Sequence, residues 1–160
     1  MGRRAIERIA PEQTAFSTRI IEAFGRFDRI VPAGPCLVMP WQKVAAKLSL
    51  KVQEMQVGVE TKTSDDVFVK LLMAVQYHVI PERAKEAYYE LANPIQQIES
   101  YVFDEVRSTV PNMNLDEVFR NKDKIADAVK ENLRETMEQY GYGIIGALVM
   151  LGLMLLLFLA

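Results

Sequence analysis

LSLKVQEMQVGVETKTSDDVFVKLLMAVQYHVI, residues 48–80, is the stretch that decides the fold. Val67, Val69, Leu71, Met73, Val75, Tyr77 and Val79 recur at every second position without a break, the period of a half-buried β-strand. Upstream, Leu48, Leu50 and Val52 occupy one phase, and Met55, Val57 and Val59 continue in the other. A strand cannot absorb that slip at Gln53-Glu54 without turning its buried face outward, which predicts a β-bulge or two successive strands. Thr63-Ser64-Asp65-Asp66 supplies a polar turn, so the two alternating runs form an antiparallel hairpin.

Before the hairpin the chain reads as short strands punctuated by turns. Ala15, Phe16, Ile20 and Ile21 lie in a strand-like stretch that Gly25 interrupts, and Pro32-Ala33-Gly34-Pro35 is a strong turn cluster. Cys36-Leu37-Val38-Met39-Pro40-Trp41 is a short apolar run broken by proline. After Pro81 the period becomes helical. Glu82 to Leu91 predicts a short helix, and Asn93-Pro94 pairs a capping residue with a proline suited to the first helical position. Ile95, Ile98, Val102 and Val106 mark the buried stripe of the helix that follows, which Pro111 ends. Asn114 with Asp116 and Glu117 starts another helix, and Ile125, Val129, Leu133 and Met137 line a charged one up to Gly141 and Gly143. Strands followed by helices predict an α+β domain: an N-terminal antiparallel β-rich subdomain, then a helical subdomain.

Composition adds a division that the averages conceal. The chain has 160 residues, 50% hydrophobic and 25% charged, with a formal net charge of −2. None of its charged residues lies beyond Glu138. Gly143–Ala160, GIIGALVMLGLMLLLFLA, is 18 uncharged residues, and as a helix it would extend about 27 Å, close to the ~30 Å bilayer core. The expectation is a domain over 1–142 and a hydrophobic C-terminal tail over 143–160, read as a transmembrane helix flanked by the interfacial tyrosines Tyr140 and Tyr142. Two other readings stay open: a buried strand plus a core helix, and a truncated or out-of-frame end. Candidate bilayer contacts are Arg3, Arg4, Trp41, Tyr140, Tyr142, Ile144, Ile145, Leu148, Leu151, Leu155 and Phe158.

Positions 1–51 carry nine Lys and Arg against Glu7, Glu12, Glu22 and Asp28, a basic excess suited either to anionic lipid or to plain solvation. No basic run interleaved with aromatics points to nucleic acid. Cys36 is the single cysteine, which excludes an internal disulfide, and no signal peptide is visible, so a cytoplasm-facing setting is expected.

At the hairpin the chain resembles a known family. Leu48-Ser49-Leu50, Val59-Glu60-Thr61-Lys62-Thr63, Asp66-Val67-Phe68-Val69 and Val75-Gln76-Tyr77 are similar to the stomatin/prohibitin/flotillin (SPFH) superfamily. So are Phe24-Gly25-Arg26-Phe27, Ala87-Tyr88-Tyr89-Glu90-Leu91, Gln97–Asp104, Leu115–Phe119 and Tyr140-Gly141-Tyr142, over about residues 5–143. Within it, the chain looks most like the hypersensitive-induced reaction proteins. The resemblance implies a non-enzymatic, membrane-associated scaffold that forms ring-like or cage-like homo-oligomers, organises microdomains and encloses partners such as membrane proteases or channels. It also implies a polar strand after the Tyr-Gly pair and then a charged coiled coil, where this chain has its apolar tail. The alternative is a peripheral adaptor whose tail folds into the domain. Lipidation at Gly2 is an option, although Ile6 stands where a myristoylation signal prefers Ser or Thr; Cys36 is a candidate for palmitoylation.

Catalytic chemistry finds little support. His78, the only histidine, falls on the strand face opposite Val75, Tyr77 and Val79, where a satisfied or exposed role is expected. One His and one Cys fall short of a zinc ligand set, and no glycine-rich phosphate loop occurs, so no cofactor is expected.

Overall fold

The computed structural model describes residues 16–152 and divides the chain into two compact units, Met1–Lys51 and Val52–Ala160. Five strands precede the helices and a sixth follows them, in an α+β fold.

The first unit is a three-stranded antiparallel sheet of β1 (Ser17–Ala23), β2 (Arg26–Val31) and β3 (Gln42–Ser49), in the order β2-β1-β3. β1 is central, and register shifts against both neighbours occur around Ile20 and Ile21. These two adjacent residues are both fully buried. Successive side chains of a strand point to opposite faces, so β1 carries buried apolar surface on both of its sides.

The second unit begins where the alternation slips. β4 (Gln53–Lys62) and β5 (Phe68–Val79) form the expected hairpin in register from Gln53↔Tyr77 to Lys62↔Phe68. The phase change at Gln53-Glu54 is thus resolved as two successive strands, β3 and β4, in separate sheets. Thr63 fixes the turn: its N–H and hydroxyl both donate to Val67 O, and the same hydroxyl accepts from Val67 N at 3.3 Å.

The helices are α1 (Ala84–Tyr89), preceded by a 3₁₀ turn at Pro81–Arg83, α2 (Pro94–Thr109), α3 (Leu115–Arg120) and α4 (Lys122–Gln139). Asn93 caps α2 by accepting from Gln96 N at 3.2 Å. Asn114 and Glu117 form a reciprocal capping box at α3, at 2.8 and 2.9 Å. Ile98, Val102 and Val106 of α2 and Ile125, Val129, Leu133 and Met137 of α4 are buried, together with Leu71, Met73, Val75, Tyr77 and Val79 of β5. Each large side chain so covered contributes about 1.5–3 kcal/mol. Ile95 departs from the expected stripe, being half exposed in the first turn of α2.

The tail is the principal correction. Tyr142–Gly152 is a strand, β6, paired antiparallel with β5 from Val79↔Tyr142 to Lys70↔Gly152, giving the order β4-β5-β6. Among the described residues no helix is long and apolar enough to cross a membrane. The reason is both local and tertiary. A helix here would hold Gly143, Gly146 and Gly152, each costing about 1 kcal/mol relative to alanine, whereas Ile144, Ile145 and Val149 favour a pleated surface. The tertiary part is β5, whose free edge must be hydrogen-bonded, and β6 satisfies it. The strand that the family resemblance implied after Tyr-Gly is present, built from apolar residues. Gly141, at φ +82, turns α4 into β6, and a Cβ there would strike the backbone of Arg83 and Ala87.

Candidate membrane-contact site

The first unit exposes apolar side chains at one end of its sheet. β1 and β2 are joined by the two residues Phe24 and Gly25, with φ of 52° and 76°. Two left-handed residues make the type I′ turn whose twist suits a hairpin. Asn or Gly ordinarily fills such a position, because a Cβ crowds the following carbonyl at about 1–2 kcal/mol. Here it is Phe24, and its ring is 84% exposed.

The loop between β2 and β3 meets this turn, since Phe24 N donates to Trp41 O at 3.3 Å. Its backbone is held from the sheet by long polar side chains. Arg29 donates to Leu37 O at 2.9 Å, and Arg19 donates to Gly34 O and Cys36 Sγ at 3.4 and 3.5 Å. Gln42 accepts from Met39 N at 3.0 Å and donates to Asp28 Oδ2 at 2.7 Å. With its backbone held in this way, the loop keeps Leu37, Val38, Met39 and Trp41 outside; Leu37 is 75% and Trp41 52% exposed. Arg26 follows the turn directly, and Lys43 follows Gln42 and pairs with Glu22 at 3.2 Å. An apolar tip with cations behind it suits an interface between hydrocarbon and anionic headgroups.

The sequence-derived candidates scatter rather than converge. Trp41 belongs to this tip. Cys36 lies half-buried beside Arg19. Tyr140 is half-buried at the C-cap of α4. Tyr142 is buried: its hydroxyl donates to Ala87 O at 3.2 Å and its ring meets that of Tyr77 edge-on at 6.3 Å. Burial raises the pKa of both phenols above the usual tyrosine value, and the Tyr77 charge raises that of Tyr142 further. Ile144 is buried beside Tyr77, so it and Tyr142 are core rather than lipid-facing residues. Ile145 and Leu148 are exposed, and Leu148 shares the open face of the second sheet with Met150 and Phe68. Leu151 pairs with Leu71 through the β5–β6 ladder. Gly2, Arg3, Arg4, Leu155 and Phe158 lie outside the described residues.

His78 lies on that open face opposite Gly143, which admits the imidazole ring; a Cβ on Gly143 would come within 2.5 Å of His78 Cε1. Sequence reasoning missed Phe24, Leu37 and Met39 as contacts. The available signal was an apolar run bounded by Pro35 and interrupted by Pro40, unable to extend as a strand.

The sequence model described as SPFH domain / Band 7 family matches residues 8–150. Hypersensitive-induced response protein 4 of Arabidopsis thaliana is 43% identical over 130 residues, covering 80% of this chain and 44% of that protein. A band 7 family protein of Acanthamoeba polyphaga mimivirus is 23% identical over 123 residues, covering 76% of this chain and 40% of its own length. The chain therefore spans less than half the length of these curated relatives.

Proposed function

The chain belongs to the SPFH domain / Band 7 family, and from that premise we propose that it is a non-enzymatic, membrane-associated scaffold that meets the bilayer through the apolar tip of its N-terminal unit. The observation that carries the reading is the exposed set of Phe24 in its turn with Leu37, Met39 and Trp41 on a loop whose backbone is held by Arg19, Arg29 and Gln42. Covering such side chains with hydrocarbon is worth about 1.5–3 kcal/mol each, so the four together support reversible attachment. In this reading the chain self-assembles, organises membrane microdomains and encloses partners such as a membrane protease or channel. The folded part stands on the cytoplasmic side, in keeping with a single cysteine.

Flotation with anionic vesicles tests the contact. The wild-type chain is expected to float, and the Phe24→Ser, Leu37→Ser, Trp41→Ser triple variant to remain in the soluble fraction with an unchanged circular dichroism spectrum. Equal flotation of both would overturn the reading.

A peripheral adaptor that holds a partner without assembling is the second reading. It is favoured by the use of Tyr142–Gly152 in sheet pairing. Light scattering of the vesicle-bound and free protein separates the two, because a scaffold forms higher oligomers and an adaptor remains monomeric.

A further inference from the structure

The same unit carries a different feature at the opposite end of its sheet. β1 has seven residues, so its Ser17 end lies about 20 Å from the Phe24-Gly25 turn at roughly 3.3 Å per residue. There Phe16, Ser17, Lys47, Ser49 and Lys51 line an open cleft of about 250 Å³. The strand register builds it. Ser17 stands opposite Ser49 and Arg19 opposite Lys47, which places all four side chains on one face. Leu50 N donates to Phe16 O at 2.7 Å and closes the sheet end; Lys51 then leaves in a bend. Lys51 N donates to Ser49 Oγ at 3.3 Å, and its ammonium stands 5.9 Å from the centre of the Phe16 ring.

Among the described residues, no acid stands at this end. Glu22 and Asp28, the acids of this unit among the described residues, lie toward the hairpin tip and are engaged by Lys43 and Gln42. Neither Lys47 nor Lys51 enters an ion pair among the described residues. Ser17, 4% exposed, and Ser49 both belong to the wall of the cleft, and Ser49 brings its hydroxyl. Two ammonium groups and the Ser49 hydroxyl around a small volume form a donor-rich site for a compact anion with several acceptor oxygens. Phe16 adds an apolar wall against which an organic substituent packs. We propose that this cleft binds the phosphate group of a phosphomonoester, through Lys47, Lys51 and Ser49. The site is independent of the membrane contact, since the two share no residue.

A phosphomonoester reaches such a cleft either as a lipid headgroup or as a soluble molecule. Titration of the full chain with glycerol phosphate, followed by amide chemical shifts, is expected to give saturable changes at Ser17, Lys47, Ser49 and Lys51. Lys47→Ala with Lys51→Ala removes two exposed side chains and is expected to weaken binding by at least about tenfold, the usual effect of losing charge-assisted hydrogen bonds. The Phe24→Ser, Leu37→Ser, Trp41→Ser variant is expected to bind glycerol phosphate like wild type even if its flotation is lost. Vesicles of phosphatidylcholine containing phosphatidic acid, compared with vesicles containing phosphatidylserine at equal charge, identify the source. Preferential recruitment to phosphatidic acid that glycerol phosphate competes away assigns a lipid headgroup; saturable glycerol phosphate binding without that preference assigns a soluble ester. Absence of saturable binding, or binding that the double lysine variant leaves intact, would overturn the proposal.

Discussion

The two units meet the same problem, a three-stranded antiparallel sheet with apolar residues to hide, in opposite ways. In the second unit, helices cover one face of β4-β5-β6, and 22 of the 24 buried apolar residues of the described chain lie there. The first unit holds only Ile20 and Ile21 of that core, yet exposes Phe16, Phe24, Leu37, Val38, Met39, Trp41 and Val44. Apolar content therefore does different work in each. In the second it stabilises the fold, and in the first much of it is held outside by polar side chains that grip the loop backbone. Substitutions of one chemical kind should separate the two roles.

The largest expected effect is loss of β6. A chain ending at Gly141 leaves one edge of β5 unpaired and removes Tyr142 and Ile144 from the core. The cost, about 5 kcal/mol or more, is comparable with the whole stability of a domain. Hydrogen exchange should show protection in β4 and β5 lost while β1–β3 retain theirs. Persistence of both would break the comparison by showing that β6 is ornamental.

Next in size is Leu133→Ala, which empties a fully buried site and is expected to lower stability by about 2–5 kcal/mol in chemical denaturation. Vesicle flotation should be unaffected. Trp41→Ser should do the reverse, weakening flotation while moving the denaturation midpoint by no more than about 0.5 kcal/mol, as for other exposed substitutions.

These contrasts also show what the sequence made legible. The β4–β5 hairpin could be read because its apolar residues alternate over many positions, and α2 and α3 because Asn93 and Asn114 announce their starts. The α4 stripe, Ile125 to Met137, stood out against a charged background. The tail could not be read in this way. A run without polar positions carries no period; its glycines and β-branched residues lean toward a strand, and the unpaired edge of β5 settles it. The exposed apolar tip of the first unit was hidden for a related reason. Composition shows that Leu37 and Trp41 are apolar but not that Arg19, Arg29 and Gln42 prevent them from turning inward. Cys36 and Trp41 stand out in the sequence, whereas the exposure of Phe24 follows from its left-handed backbone.

A smaller effect sharpens the contrast within the second sheet. Gly143→Val should cost about 1–3 kcal/mol by crowding the His78 ring, and His78→Ala should recover much of that loss in a double-mutant cycle. Additive costs would place the crowding elsewhere.

The smallest is a pH effect. Tyr77 and Tyr142 titrate above the ordinary tyrosine value of 10.0 when folded, so the folded state holds their protons more tightly than the unfolded chain does. Their stabilising contribution is complete below pH 10.0 and is lost as the pH rises through the raised folded values. Tyr142→Phe should flatten this alkaline decline in thermal melts of the second unit; an unchanged slope would assign the decline to other groups.

The β5–β6 pairing also has a kinetic consequence. The β4–β5 hairpin closes across a short turn, but β5 meets β6 only across about sixty to eighty residues, with every helix of the unit intervening. Such a non-local contact forms late, after its loop-closure entropy has been overcome. Until then a nascent chain presents an open edge on β5 and, once made, an uncharged strand that pairs readily with another copy. The interval between synthesis of Val79 and docking of Tyr142 is therefore when this chain is most exposed to misassembly, and when a chaperone that shields strand edges would matter most.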